Sequence, residues 1–117
     1  MARKVKMTVN NNTNKVLTFV DKDPKHGKFT ANPPTTIESS GSWTCTTRSG
    51  GLKGPEGTVT YQTDGGNVTI EFYYNHPIGS ATSSYRVTPT PSDSIGHDIK
   101  GSFKGHDQDI TFELYLV

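Results

Sequence analysis

Apolar and polar residues alternate near the start of the chain, where Val5, Met7 and Val9 fall between Lys4, Lys6, Thr8 and Asn10. A period of two sends successive side chains to opposite faces, so this stretch predicts a β-strand with one dry face and one wet face. The run Asn10-Asn11-Asn12-Thr13-Asn14 tolerates left-handed backbone and bonds to its own amides. It predicts a turn into a second strand over residues 15–21, so that a hairpin opens the chain. Residues 21–34 are rich in Asp, Lys, Gly and Pro and end on Pro33-Pro34, which predicts a long loop with one edge strand near residues 28–30.

Further along, residues 35–38 and 42–47 read as short strands, the second with Trp43 and Cys45 on one face and Thr44 and Thr46 on the other. Residues 48–57 hold four glycines and a proline and must be loop, of a length that invites a functional role. The clearest hairpin joins residues 58–63 to residues 67–74 through Asp64-Gly65-Gly66. A polar stretch over residues 75–82 leads to a strand at residues 83–88, which Pro89-Thr90-Pro91 breaks. Ile110, Phe112, Leu114 and Leu116 alternate with Thr111, Glu113 and Tyr115, a terminal strand over residues 109–117. No apolar stripe of helical period occurs. Short strands at this spacing predict an all-β fold, a single antiparallel β-sandwich over residues 1–117.

Length and composition support that reading. A chain of 117 residues suits one domain, and 30% apolar content with 12 Gly and 7 Pro suits strands and turns. Cys45 is alone, so no internal disulfide forms, and it is expected as a small core residue. The net charge is +1 and the basic residues are scattered, apart from a loose group at Lys22, Lys25 and Lys28, which argues against nucleic acid as a partner. No run approaches the roughly 20 apolar residues of a membrane span, and no apolar leader is visible. A soluble protein is expected, cytoplasmic or released by a non-classical route and acting at membrane surfaces. The sequons at Asn11 and Asn67 read as turn chemistry.

Catalysis finds no constellation. There is no nucleophile elbow, phosphate-cradling loop or dinucleotide fingerprint, and no cofactor is expected. His26, His76, His97 and His106 all fall in predicted turns, as solvated residues. The repeated Gly-His-Asp at residues 96–98 and 105–107 has ligand-type side chains without the spacing of a known metal motif. Glu38 and Glu71 are the only acids that suggest a glycosidase pair, and Glu71 is expected to face solvent. A binding role, not an enzyme, is the reading. Phe72, Tyr73 and Tyr74 run into Asn75, His76, Pro77 and Ile78, with Tyr85 following. That much aromatic area at a strand end fits either sandwich packing or an interface with lipid, sugar or protein.

Several of these segments resemble the aegerolysin family in order and spacing. They are Gly27-Lys28, residues 34–37, Arg48 leading to Gly54-Pro55-Glu56-Gly57-Thr58, and above all Phe72-Tyr73-Tyr74-Asn75-His76-Pro77-Ile78-Gly79-Ser80. The resemblance spans about residues 5–115 and implies a cytolysin-like β-sandwich. It also implies recognition of membrane lipids of sphingolipid type and a larger membrane-attack-type protein that completes a pore. Against the lipid-binding members, this chain has His26 for a tryptophan, Lys53 for a glutamate, His76 for a cysteine, and Ile78 and Ala81 for a tryptophan and a lysine. The expected site is the loop over residues 75–80, with Tyr74, Ile78 and Tyr85 as apolar anchors, Asn75, His76 and Pro77 beside them, and Lys53 or Arg48 near phosphate. Two other readings stay open. One is a lectin that stacks a sugar on tyrosine with Asn75, Asp64 and His76 as hydrogen-bond partners; the other is a self-assembling structural or crystal protein. In the lipid or lectin reading the chain is a monomer or weak oligomer whose partner is a membrane lipid surface or a glycan.

Overall fold

The computed structural model describes residues 2–79 and 81–117. Alternation decides most of its strands. Val5, Met7 and Val9 are fully buried in β1 (Lys4–Asn12), and Ile110, Phe112 and Leu114 in β10 (Asp107–Tyr115). The remaining strands are β2 (Leu17–His26), β3 (Lys28–Ala31), β4 (Thr36–Ile37), β5 (Ser40–Thr46), β6 (Glu56–Thr63), β7 (Val68–Asn75), β8 (Ser84–Thr90) and β9 (Gly96–Gly101). They form two five-stranded sheets, ordered β3-β5-β1-β10-β9 and β4-β2-β6-β7-β8. The inner faces enclose one core built around Trp43. Its ring lies 5.6 Å from Phe72 edge-on and stacks on Tyr61 and Phe112 at 6.2 and 6.3 Å.

This is the all-β sandwich expected, antiparallel except where β1 pairs in parallel with β10. The opening hairpin does not form. β1 and β2 belong to different sheets, because Asn11 is buried at the turn and its side-chain amide reaches the carbonyls of Lys15, Ile37 and Glu38 at 2.7, 3.1 and 3.0 Å. Its oxygen accepts the Thr13 hydroxyl at 2.6 Å. That hub carries the chain across the sandwich and leaves no Asn11 amide for a glycan.

β2 is also longer than expected and runs through Pro24 to His26. β4 covers only Leu17 and Thr18 of β2, so the rest is an edge on that side, where a missing amide donor goes unnoticed. Pro89 continues β8, another edge strand, for the same reason. β9 carries no clear alternation and was not legible; it pairs with β10 from Gly96↔Tyr115 to Gly101↔Ile110. Among the described residues, no helix is long and apolar enough to cross a membrane.

Candidate functional site

Four connections and the start of β1 gather at one end of the sandwich: the β2–β3 turn at Gly27, the β5–β6 loop, the β7–β8 loop and the β9–β10 loop. Gly27 has φ 84°, and a Cβ there would lie 2.7 Å from the Thr46 carbonyl and 2.9 Å from Pro55 Cα. Only glycine lets β2 cross to β3 this close to the β5–β6 loop.

That loop is tied to the β7–β8 loop by the His76 amide, which donates to the Pro55 carbonyl at 2.9 Å. His76 itself is buried and locked. Its Nε2 faces the His106 carbonyl at 2.6 Å, which only accepts, so Nε2 carries the proton and Nδ1 accepts from the Ser83 hydroxyl at 2.8 Å. Burial lowers its pKa below the ordinary histidine value, and the positive charge of Arg3 adds to the effect. The expectation of a solvated turn histidine therefore fails for His76; His97 lies within β9 and His26 ends β2, so neither is in a turn, although His97 is exposed.

Between these loops lies a cleft of about 270 Å³, with Lys53, Asn75, Pro77 and Ile78 on its walls together with His26 and Leu52. A hollow of about 170 Å³ continues from it, past Leu52 and Lys53, to Arg48 and Lys25. Leu52 is 91% exposed and Ile78 37%. Among the described residues the only carboxylate on the two walls is Glu56, whose Oε2 accepts the Tyr73 hydroxyl at 2.9 Å. The arrangement is a pair of exposed apolar tips beside Lys25, Arg48 and Lys53, a surface chemically suited to an anionic group at an apolar boundary.

Of the residues singled out from sequence, the structure brings Lys53, Asn75, Pro77 and Ile78 to the cleft and Arg48 to its extension. Tyr74 is not an anchor. The alternation of β7 turns it inward, to pack edge-on against Phe29 at 6.2 Å. Tyr85 is half-buried, its hydroxyl on Gln108 and its ring 5.8 Å from Phe103, away from the cleft. Ser80 lies outside the described residues. Leu52 was missed, although an isolated leucine in a glycine-dense loop is a visible signal of an apolar tip.

Two other constellations do not assemble. Asp64 sits at the opposite end, paired with Lys15 at 2.6 Å, so the lectin set of Asn75, Asp64 and His76 is never together. Glu38 follows β4, three strand spacings or about 14 Å across the sheet from Glu71 on β7. His97 pairs with Leu114, seven residues and about 23 Å along β10 from Asp107, which separates the two Gly-His-Asp echoes. Cys45 is buried as expected, and burial pushes its thiol up to about 12.

Two sheets around an aromatic core, with the candidate cleft on the loops at one end, define a small β-sandwich of aegerolysin-like fold. Among solved structures, RahU protein in complex with a TRIS molecule matches with a TM-score of 0.80 at 16% identity, covering 98% of this chain and 96% of that one. IP-1A from Alcaligenes faecalis matches at 0.75 and 19%, covering 97% and 91%. The lipid binding protein Nakanori matches at 0.78 and 17%, covering 96% and 70%. Identities this low show a shared fold alone. No protein-family model and no curated protein matches the chain by sequence.

Proposed function

We propose that this protein binds a membrane surface through the loop end of the sandwich, inserting Leu52 and Ile78 while Lys53, Arg48 and Lys25 hold a phosphate-bearing lipid headgroup. The observation that carries the reading is the exposure of Leu52 and Ile78 directly beside an excess of cationic side chains. Apolar tips contribute desolvation and cations contribute attraction to anionic lipid, and neither alone anchors a peripheral protein firmly. A solved neighbour of the same fold is a lipid binding protein, which supports the general reading. The aegerolysin resemblance directs it toward phosphosphingolipids, with a larger membrane-attack-type protein as the partner that would complete a pore. The chain then acts as the docking component and performs no chemistry on its ligand.

The test is flotation with phosphatidylcholine vesicles, alone or doped with ceramide phosphoethanolamine or with phosphatidylserine. Binding is expected to the doped vesicles. Replacing Leu52 and Ile78 together by Asn is expected to weaken it by roughly 100-fold or more, since burying each side chain contributes about 1.5–3 kcal/mol. The melting temperature should stay unchanged, because both tips are exposed. Absence of binding to every vesicle at micromolar protein, or a double variant that binds like the parent, would sink the reading.

A further inference from the structure

One histidine stands at the docking surface itself. His26 lines both the cleft and the hollow that continues from it, so with Leu52 and Lys53 it forms the wall common to the two. It ends β2 as the half-buried cross-strand partner of Glu56. Among the described residues, the ring hydrogen bonds and ion pairs of histidine belong to His76 and His106, and none holds the ring of His26. The other three are placed differently. His76 is buried and bonded through both ring nitrogens, His106 faces the Asp107 carboxylate at 3.0 Å, and His97 lies opposite Leu114, well along β10 from the loop end.

Each element that meets at His26 brings its own charges. Lys25 precedes it, Lys28 follows the Gly27 turn, and Asp23 is the next outward position of β2. Strand β6 supplies Glu56, and the β5–β6 loop supplies Arg48 and Lys53. Asn75, Pro77 and Ile78, on the far wall, carry no charge. With a neutral His26 the two walls therefore hold three cations, Lys25, Arg48 and Lys53, against one carboxylate. A proton on His26 adds a fourth cation. Glu56 already accepts the Tyr73 hydroxyl through Oε2, and the charge of the site rises by one whichever neighbour the ring faces.

Histidine is the side chain that ordinarily changes charge between about pH 5 and 8. A phosphodiester headgroup stays anionic across that range, so the attraction between site and lipid follows the charge on the protein. We propose, on the footing of the membrane-docking reading, that His26 is a headgroup-contacting residue whose protonation tightens attachment to an anionic, phosphate-bearing lipid surface as the medium turns mildly acid. His76 acts on the same end with the opposite sign. Protonation opposes its burial and loosens the loop that presents Ile78, which weakens docking. A tightening in acid therefore comes from added charge at the surface and not from the clamp.

Flotation with phosphatidylcholine vesicles carrying phosphatidylserine, at about pH 7.5 and about pH 5.5 and equal ionic strength, tests the assignment. The half-saturating lipid concentration should fall about fivefold at the lower pH, the gain from one cation at an anionic surface. That gain should shrink at about 0.5 M salt. His26→Gln should lose the pH response, and His26→Lys should bind as tightly at the higher pH as the parent does at the lower. Melting temperatures at both pH values check that folded proteins are compared, and the lysine variant keeps the test open if the glutamine variant fails to fold. A parent indifferent to pH overturns the proposal. So does an equal response in His26→Gln, which hands the effect to His106, or an equal response to vesicles of phosphatidylcholine alone.

Monomeric dihexanoyl phosphatidylserine separates this inference from the docking reading, since it presents the headgroup without a bilayer. By linkage, its binding should move the NMR titration of the His26 ring toward higher pH, as a ligand that favours the protonated ring must. That movement without flotation would sink membrane docking and support the headgroup contact. Flotation that ignores pH, with a ring titration that the lipid leaves in place, would sink the role of His26 and leave docking standing.

Discussion

Asn11 and His76 show how single polar side chains, buried and fully bonded, set the two ends of this sandwich. Asn11 satisfies three carbonyls from two other chain segments. Asn11→Ala leaves the buried Ile37 carbonyl and the part-buried Lys15 and Glu38 carbonyls without this donor and should cost about 1–3 kcal/mol in a urea unfolding curve; a loss under about 0.5 kcal/mol would show that the hub does not hold the crossover. His76 performs the equivalent task at the functional end, clamping the β7–β8 loop to the β9–β10 loop. Burial holds its pKa below the ordinary value of about 6.5. As pH falls, the unfolded chain takes up this proton before the folded protein does. His76 therefore contributes its full stability above the ordinary histidine range and loses it as pH falls through that range. Melting temperatures measured between about pH 7.5 and 5 should fall on acidification, and His76→Gln should flatten that slope while lowering stability at neutral pH. An equal slope in the variant would assign the pH dependence elsewhere. Neither role was visible in sequence: Asn11 read as a turn former and His76 as a solvated histidine, because hydrogen-bond partners 26 and 30 positions away leave no local pattern.

At the scale of elements, the strands carry the alternation and the loops carry the site, and the two meet at close backbone approaches. Gly54 in the β5–β6 loop sits against the His76 carbonyl so tightly that a Cβ would collide with the oxygen. Both sides are backbone, so neither yields cheaply. Gly54→Ala should destabilise the protein by about 1–3 kcal/mol in urea unfolding and weaken vesicle binding by prising apart the loops that present Lys53 and Ile78. Gly65→Ala is the control. Gly65 has φ 63° with open space around it, at the opposite end, so the substitution should cost about 1–2 kcal/mol of backbone strain and leave vesicle binding unchanged. Loss of binding in both variants would tie docking to overall stability and not to the loop end. The glycine-dense character of residues 48–57 was legible. Which glycine is indispensable was not, since that depends on what the β7–β8 loop places opposite it.

On the scale of the whole molecule, the aromatic core and the loops that carry Leu52 and Ile78 are separate parts of one sandwich. Trp43, the sole tryptophan, is fully buried between Tyr61, Phe72 and Phe112. Its fluorescence should be that of an apolar environment in the free protein and should keep the same emission maximum when vesicles are added, if docking engages Leu52 and Ile78 as proposed. A shift on binding would mean that the core opens and that the sandwich does not dock as a rigid body. The amino-acid sequence alone determined the all-β class, the inward faces of β1 and β10, the burial of Trp43 and Cys45, and the position of the glycine-dense loop. Those features depend on period-two alternation and on the local conformational demands of Gly, Pro and Asn, which neighbouring residues express. Tertiary structure alone decided that β1 pairs in parallel with β10 and not with β2, that Tyr74 is core and Leu52 a tip, and that His26 and Ile78 share a cleft. Each of these joins segments far apart in the chain, and such contacts are settled by packing two sheets around one core, which no local pattern encodes.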